Sequence, residues 1–175
     1  MSGMSAQALV TLQRAFREAP ELAERELMAA MTEATMLVER EVKENIPRGA
    51  TGLTAASVTS DAFSTPTGPL GVVGSSQPSA LFVELGTRPH PEAGSGAPRK
   101  MPPPEALEPW VRSVLGLGEK EARSAAFAIA MKIKLKGTKP QRPFGRALEA
   151  TAAQVMRMFE DAAGRIAGQL AGGAA

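Results

Sequence analysis

The chain has 175 residues, 43% apolar and 22% charged, and its 20 basic and 18 acidic side chains give a formal charge of +2. That size and balance fit one domain and exclude a globally basic nucleic-acid coat or membrane-surface protein. Cysteine is absent and histidine occurs once, which excludes disulfides, thiolate metal sites and cysteine nucleophiles.

No apolar run precedes Arg14, so the start does not read as a secretory signal. The longest uninterrupted apolar run, Ala125 to Met131, has seven residues, against the roughly 18–20 a membrane helix needs. A soluble protein is expected. Leu9, Leu12 and Phe16 recur at helical spacing until Pro20 interrupts them, which predicts a short leading helix or arm over residues 1–19. From Glu21 a longer amphipathic pattern sets Leu27, Met31, Ala34, Val38 and Val42 on one stripe, opposite Glu24, Glu33, Arg40 and Glu44. Pro47 ends it. Met31 and Met36 suit an adaptable groove, but methionine at helical spacing reads first as core filling.

Residues 51–86 change character. Threonine, serine and valine rise, charge nearly vanishes, and Pro66, Gly68, Gly71, Gly74 and Pro78 punctuate the run. Short antiparallel strands are expected near Val58–Ser64, Leu70–Gly74 and Ala80–Leu85, with a hairpin turn in "STPTGP". The third reads as an edge strand, because "FVELGTRPH" opens into a proline-rich loop. Residues 89–104 hold six prolines, a loop of functional length.

Helical signals then return. "PEALEPWVRSVLG" has Pro104 near its first turn and Gly116 past its end. "GEKEARSAAFAIAMKIKLKG" puts Ala122, Ala126, Ile129 and Ile133 on one stripe with Gly137 as a left-handed cap. "RPFGRALEATAAQVMRMFEDAAGRIAGQL" makes a third apolar face, and residues 169–175 read as a flexible tail. The expected fold is α+β: a long N-terminal helix, an antiparallel sheet of three to four strands, and two to three C-terminal helices packed on the sheet. Residues 20–168 make one domain.

Chemistry has little material here. There are two aspartates, Asp61 and Asp161, and neither metal-ligand spacing nor a nucleophile elbow occurs. "GTKP" at Gly137 and "GSGAPR" at Gly94 lack the glycines of phosphate and dinucleotide loops. His90 with Glu84 nearby has the residue types of a general base, but with no nucleophile beside it a surface loop is the stronger reading. Glu84 itself suits a carboxylate that accepts backbone N–H groups or pairs with Arg88, fixing the loop. No catalytic residue, cofactor, metal or small-molecule substrate is expected.

Between Lys132 and Arg146 lie six basic residues, Lys132, Lys134, Lys136, Lys139, Arg142 and Arg146, and no acidic one. They suit a phosphate backbone or an acidic partner, although a solvated helix end is the simpler account. No aromatic residues interleave them for base stacking. Trp110, the sole tryptophan, is a core residue by default and an interface anchor by alternative.

Taken in order, "IPRGATGLTAAS", "ALFVELGTRPH", "PPPEALEPWV" and "AFAIAMKIKLKGTKPQRPFGRALE" resemble the tailed-phage head–tail joining or tail-completion family, over residues 20 to 160. The resemblance implies a structural virion protein of the long-tailed phage neck, not an enzyme. It would form a ring of six or twelve copies between the portal or connector and the tail terminator or tail tube, assembled in the bacterial cytoplasm. Glu84, Gly86, Thr87, Arg88 and His90 match the family's loop motif and would shape a contact to a neighbouring subunit, with Trp110 beside it. Genomic DNA would pass nearby, and no membrane is involved. The alternative is a DNA-associated or partner-binding protein using residues 132–146. "PEAGSGAPRK" and the leading helix depart from the family pattern.

Overall fold

The computed structural model describes residues 6–47, 49, 52–87 and 101–172. Forty residues, Ala6–Asn45, form a single helix, α1, which runs through Pro20. A proline removes one backbone donor and crowds the preceding turn. Pro20 lies on an exposed part of the helix, where water can satisfy the released carbonyl, and the stripe that follows holds the chain in place. Ala30, Ala34 and Leu37 are buried along it. The break expected at Pro20 is therefore not made.

A short α2 (Leu53–Ala56) leads into β1 (Val58–Thr65) and β2 (Gly68–Ser75), which pair as the expected hairpin. Pro66 and Thr67 form its turn, and the Thr65 hydroxyl donates to the Gly68 carbonyl at 2.6 Å. The sheet ends there, with two strands instead of three to four. Residues 78–85, "PSALFVEL", form a helix, α3 (Pro78–Leu85), where a third strand was expected at 80–85. A short apolar run does not distinguish strand from buried helix by periodicity. Here Pro78 at the first helical turn and Gly86 just past the last decide for helix.

Three helices follow: α4 (Pro104–Leu115), α5 (Glu119–Lys136) and α6 (Pro143–Gly172). Gly116 closes α4 in the left-handed conformation. Glu121 reaches back to accept the Gly118 N–H at 3.3 Å and starts α5. No helix among the described residues is long and apolar enough to cross a membrane.

The chain divides into two compact units. One comprises residues 1–41, 59–74 and 147–175. Within it Ser60 donates to Glu39 at 2.5 Å, Ser64 donates to Glu24, and Arg165 donates to Glu26 at 2.8 Å. A Cβ on Gly71 would fall 2.6 Å from the Met31 sulfur and overlap the Thr35 methyl. The hairpin thus lies on α1 at a distance that only glycine permits.

The other unit comprises residues 42–58 and 75–146. Its α4 and α5 pack around Val111, Ala122 and Ala126, all fully buried, with Leu107, Trp110 and Ile129 against them. Trp110 is half-buried against this cluster.

Candidate functional site

The two sequence blocks that stand out most, "VELGT" and "GTKPQRPFG", meet in space. Helix α3 ends at Gly86, whose φ of 68° and ψ of −177° suit glycine alone. A Cβ there would also lie 2.7 Å from the Pro140 nitrogen and collide with the Thr138 carbonyl. The close approach lets Thr87 and Thr138 exchange backbone hydrogen bonds, each at 3.1 Å, as an isolated antiparallel bridge. Their hydroxyls sit 3.1 Å apart. Three residues on, the Gln141 N–H donates to the Val83 carbonyl at 2.9 Å, satisfying one of the orphan carbonyls at the end of α3.

Glu84 completes the corner. Its carboxylate accepts the N–H groups of Phe144 at 2.9 Å and Gly145 at 3.1 Å, two of the donors that the first turn of α6 leaves without helical partners. A carboxylate at a helix N-terminus also meets the positive end of the helix dipole. Pro143, at the first position of α6, is fully buried. Arg142 before it takes φ 52°, the left-handed value reported for a non-glycine residue among the described residues. The residue before proline is pushed away from the right-handed helical region. Hydrogen bonds at Gln141, Phe144 and Gly145 hold the strained residue from both sides.

The corner therefore offers fixed geometry and little chemistry. Beside it a groove of about 360 Å³ is lined by Ser75, Gln77, Pro78, Leu81, Glu84 and Phe144. Its carboxylate is committed to α6, and the Ser75 hydroxyl lies 2.7 Å from that of Ser57. No group of three metal-ligating side chains occurs among the described residues. Arg88 and His90 lie outside the described residues, as does most of the 89–104 loop.

The basic stretch is not one patch. Lys132 and Lys136 are exposed and one turn apart on α5, whereas Lys134, two residues along, points to another side of the helix and is half-buried. Lys139 and Arg142 follow, exposed, in the segment between α5 and α6, and Arg146 is exposed in the first turns of α6.

Sequence reasoning missed one surface. On α3, Leu81, Phe82 and Leu85 are 59%, 56% and 67% exposed and span about 100° of helical arc. Ala80, across the helix, is buried. Read as a strand, this run alternates and half of it enters a core; read as a helix, it shows three large apolar side chains to solvent. Pro78 followed by Gly86 at helix length was the available signal.

Comparison with protein-family models, with curated proteins and with solved structures returns no match to this chain.

Proposed function

We propose that this chain is a structural protein of the phage neck, one subunit of a ring of six or twelve copies that joins the DNA-filled head to the tail. The observation that carries the reading is the meeting of "VELGT" with "GTKPQRPFG": the blocks that resemble the tail-completion family are the ones joined by Glu84 to Phe144 and by Thr87 to Thr138. A corner fixed by backbone hydrogen bonds, with its carboxylate committed to a helix cap, is what a shaped contact element requires.

On this reading Glu84, Gly86 and Thr87 build the corner from inside the subunit. The neighbour is met by the apolar side chains of Leu81, Phe82 and Leu85 that the corner presents, together with Arg88 and His90, which lie outside the described residues. Exposed apolar groups of this size gathered on one short helix mark interaction surfaces. The protein acts by fitting between the connector and the tail terminator or tail tube, without catalysis.

The test is electron microscopy of a lysate from the parent phage with this reading frame disrupted, beside a complemented control. DNA-filled heads and separate tails are expected. Intact virions would remove the neck reading. The second reading, DNA association, is favoured by the exposure of Lys132, Lys136, Lys139, Arg142 and Arg146. It requires duplex binding by the isolated protein that weakens steeply with salt.

A further inference from the structure

The two compact units carry opposite net charge. Residues 1–41, 59–74 and 147–175 hold six basic and eleven acidic side chains, a net of −5; residues 42–58 and 75–146 hold fourteen and seven, a net of +7. Together they give the +2 of the whole chain, so near-neutrality overall hides a strong segregation. The charges are displayed on the folded surface: Glu21, Glu33 and Glu160 are exposed in the acidic unit, and Lys132, Lys136 and Lys139 in the basic one. Each set has a large exposed apolar side chain close by. Met36, 61% exposed, follows Glu33 by three residues on α1, and Leu135, also 61% exposed, lies between Lys132 and Lys136 in sequence on α5. Apolar contact surrounded by charge is the ordinary anatomy of a protein interface.

We propose that the acidic unit of one copy docks on the basic unit of the next, with Glu33 and Met36 facing Lys132, Leu135 and Lys136. The inference rests on the ring reading above and names its contact. Charge complementarity selects the occupant. Duplex DNA would satisfy the basic unit and be repelled by the acidic one, whereas a second copy satisfies both. A second copy sets unlike charges together, and the ring reading selects the head-to-tail form of that pairing. Such a contact leaves a complementary face open at each end, so it propagates until a ring closes. The charges supply orientation and encounter rate, and the apolar side chains hold the docked pair.

Sedimentation of the full chain in a salt series tests this. Raising salt from about 50 mM to about 500 mM shortens the screening length from roughly 14 Å to roughly 4 Å, and oligomers present at low salt are expected to dissociate. Two triple variants sharpen the test: Lys132→Glu with Lys136→Glu and Lys139→Glu, and Glu21→Lys with Glu33→Lys and Glu160→Lys. Each alone is expected to associate at least about tenfold more weakly, because it reverses the charges on one side of the proposed contact and leaves those on the other side unchanged. Mixed in equal amounts they are expected to assemble again, alternating. A monomer at every salt, salt-insensitive oligomers, or folded variants that associate like the parent would overturn the proposal. Loss of duplex binding by the lysine variant with self-association unchanged would also overturn it, giving the basic unit to nucleic acid. Should a variant not fold by circular dichroism, the salt series on the parent decides alone. Salt-insensitive oligomers leave the neck reading standing, whereas intact virions from the disrupted phage remove that reading and leave a salt-sensitive oligomer as a separate fact.

Discussion

The Glu84 carboxylate lies 2.9 Å from the backbone N–H of Phe144, sixty positions along the chain, and closes the first turn of α6 from a different helix. A cap supplied in this way couples two elements, so its loss destabilises the junction as well as the helix end. Glu84→Ala is expected to cost about 1–2 kcal/mol. Glu84→Gln, which keeps one acceptor oxygen, is expected to lose less. Denaturant unfolding of the three proteins checks the order.

Gly86 should tolerate no side chain. Its φ of 68° is compounded by the approach of Thr138 and Pro140, so Gly86→Ala is expected to destabilise by about 1–3 kcal/mol. Gly71→Ala should also destabilise, for a different reason: its φ is not positive, and the penalty comes from Met31 and Thr35 on α1. Met31→Ala in the same chain is expected to recover part of the Gly71→Ala loss and none of the Gly86→Ala loss, measured by thermal melts.

Acid should weaken the acidic unit through Glu26. The hydrogen bond from Arg165, with help from Gln169 and the charges of Arg165 and Arg25, holds its carboxyl below the usual carboxylate range. A group whose folded pKa is depressed contributes stability above its unfolded pKa and loses it as pH falls through the folded value. The gap in melting temperature between the parent and Glu26→Gln is therefore expected at neutral pH. It should shrink as pH drops from about 4.5 downward. A gap that stays constant to low pH would assign it to packing.

Replacing Leu81, Phe82 and Leu85 together by serine separates folding from docking. These side chains largely face solvent, so the isolated protein should lose no more than about 1.5 kcal/mol, roughly 0.5 at each position. On the neck reading the same triple variant fails to complement a disrupted phage, scored as plaque formation. Full complementation by a stably expressed variant would clear this face of any docking role.

The hairpin was legible because Gly68 and the Pro66–Thr67 turn are local signals, and so were α4, with Pro104 at its start and Gly116 just past its end, and α5, with Gly118 just before it and Gly137 just past it. The α3 segment was misread because its short, nearly continuous apolar run carries neither the strand nor the helix period. Glu84 was recognised as a carboxylate that would fix a turn by accepting N–H groups, but the turn turned out to be Phe144 and Gly145. Nothing local to Glu84 names a partner sixty residues away. The exposure of Leu81, Phe82 and Leu85 was hidden for the related reason that exposure follows from helix rotation, which the strand reading lacks. The charge segregation was invisible until the chain was divided, because α1 and α6 each contribute residues to both units.

Among the described residues, eight of the thirteen buried apolar side chains are alanines, including Ala122, Ala126 and Ala130 on a single stripe of α5. An interior made of methyl groups has almost nothing to lose by truncation and much to lose by enlargement. Random mutagenesis of this protein should therefore give a lopsided record. At Ala122 and Ala126, valine and leucine would be purged while glycine survives more often, the reverse of the pattern in interiors filled by leucine. The α5 methyl groups also have no rotamers to rearrange, so on this stripe the helix has little freedom to repack and would respond to load as a stiff strut and not as a cushion.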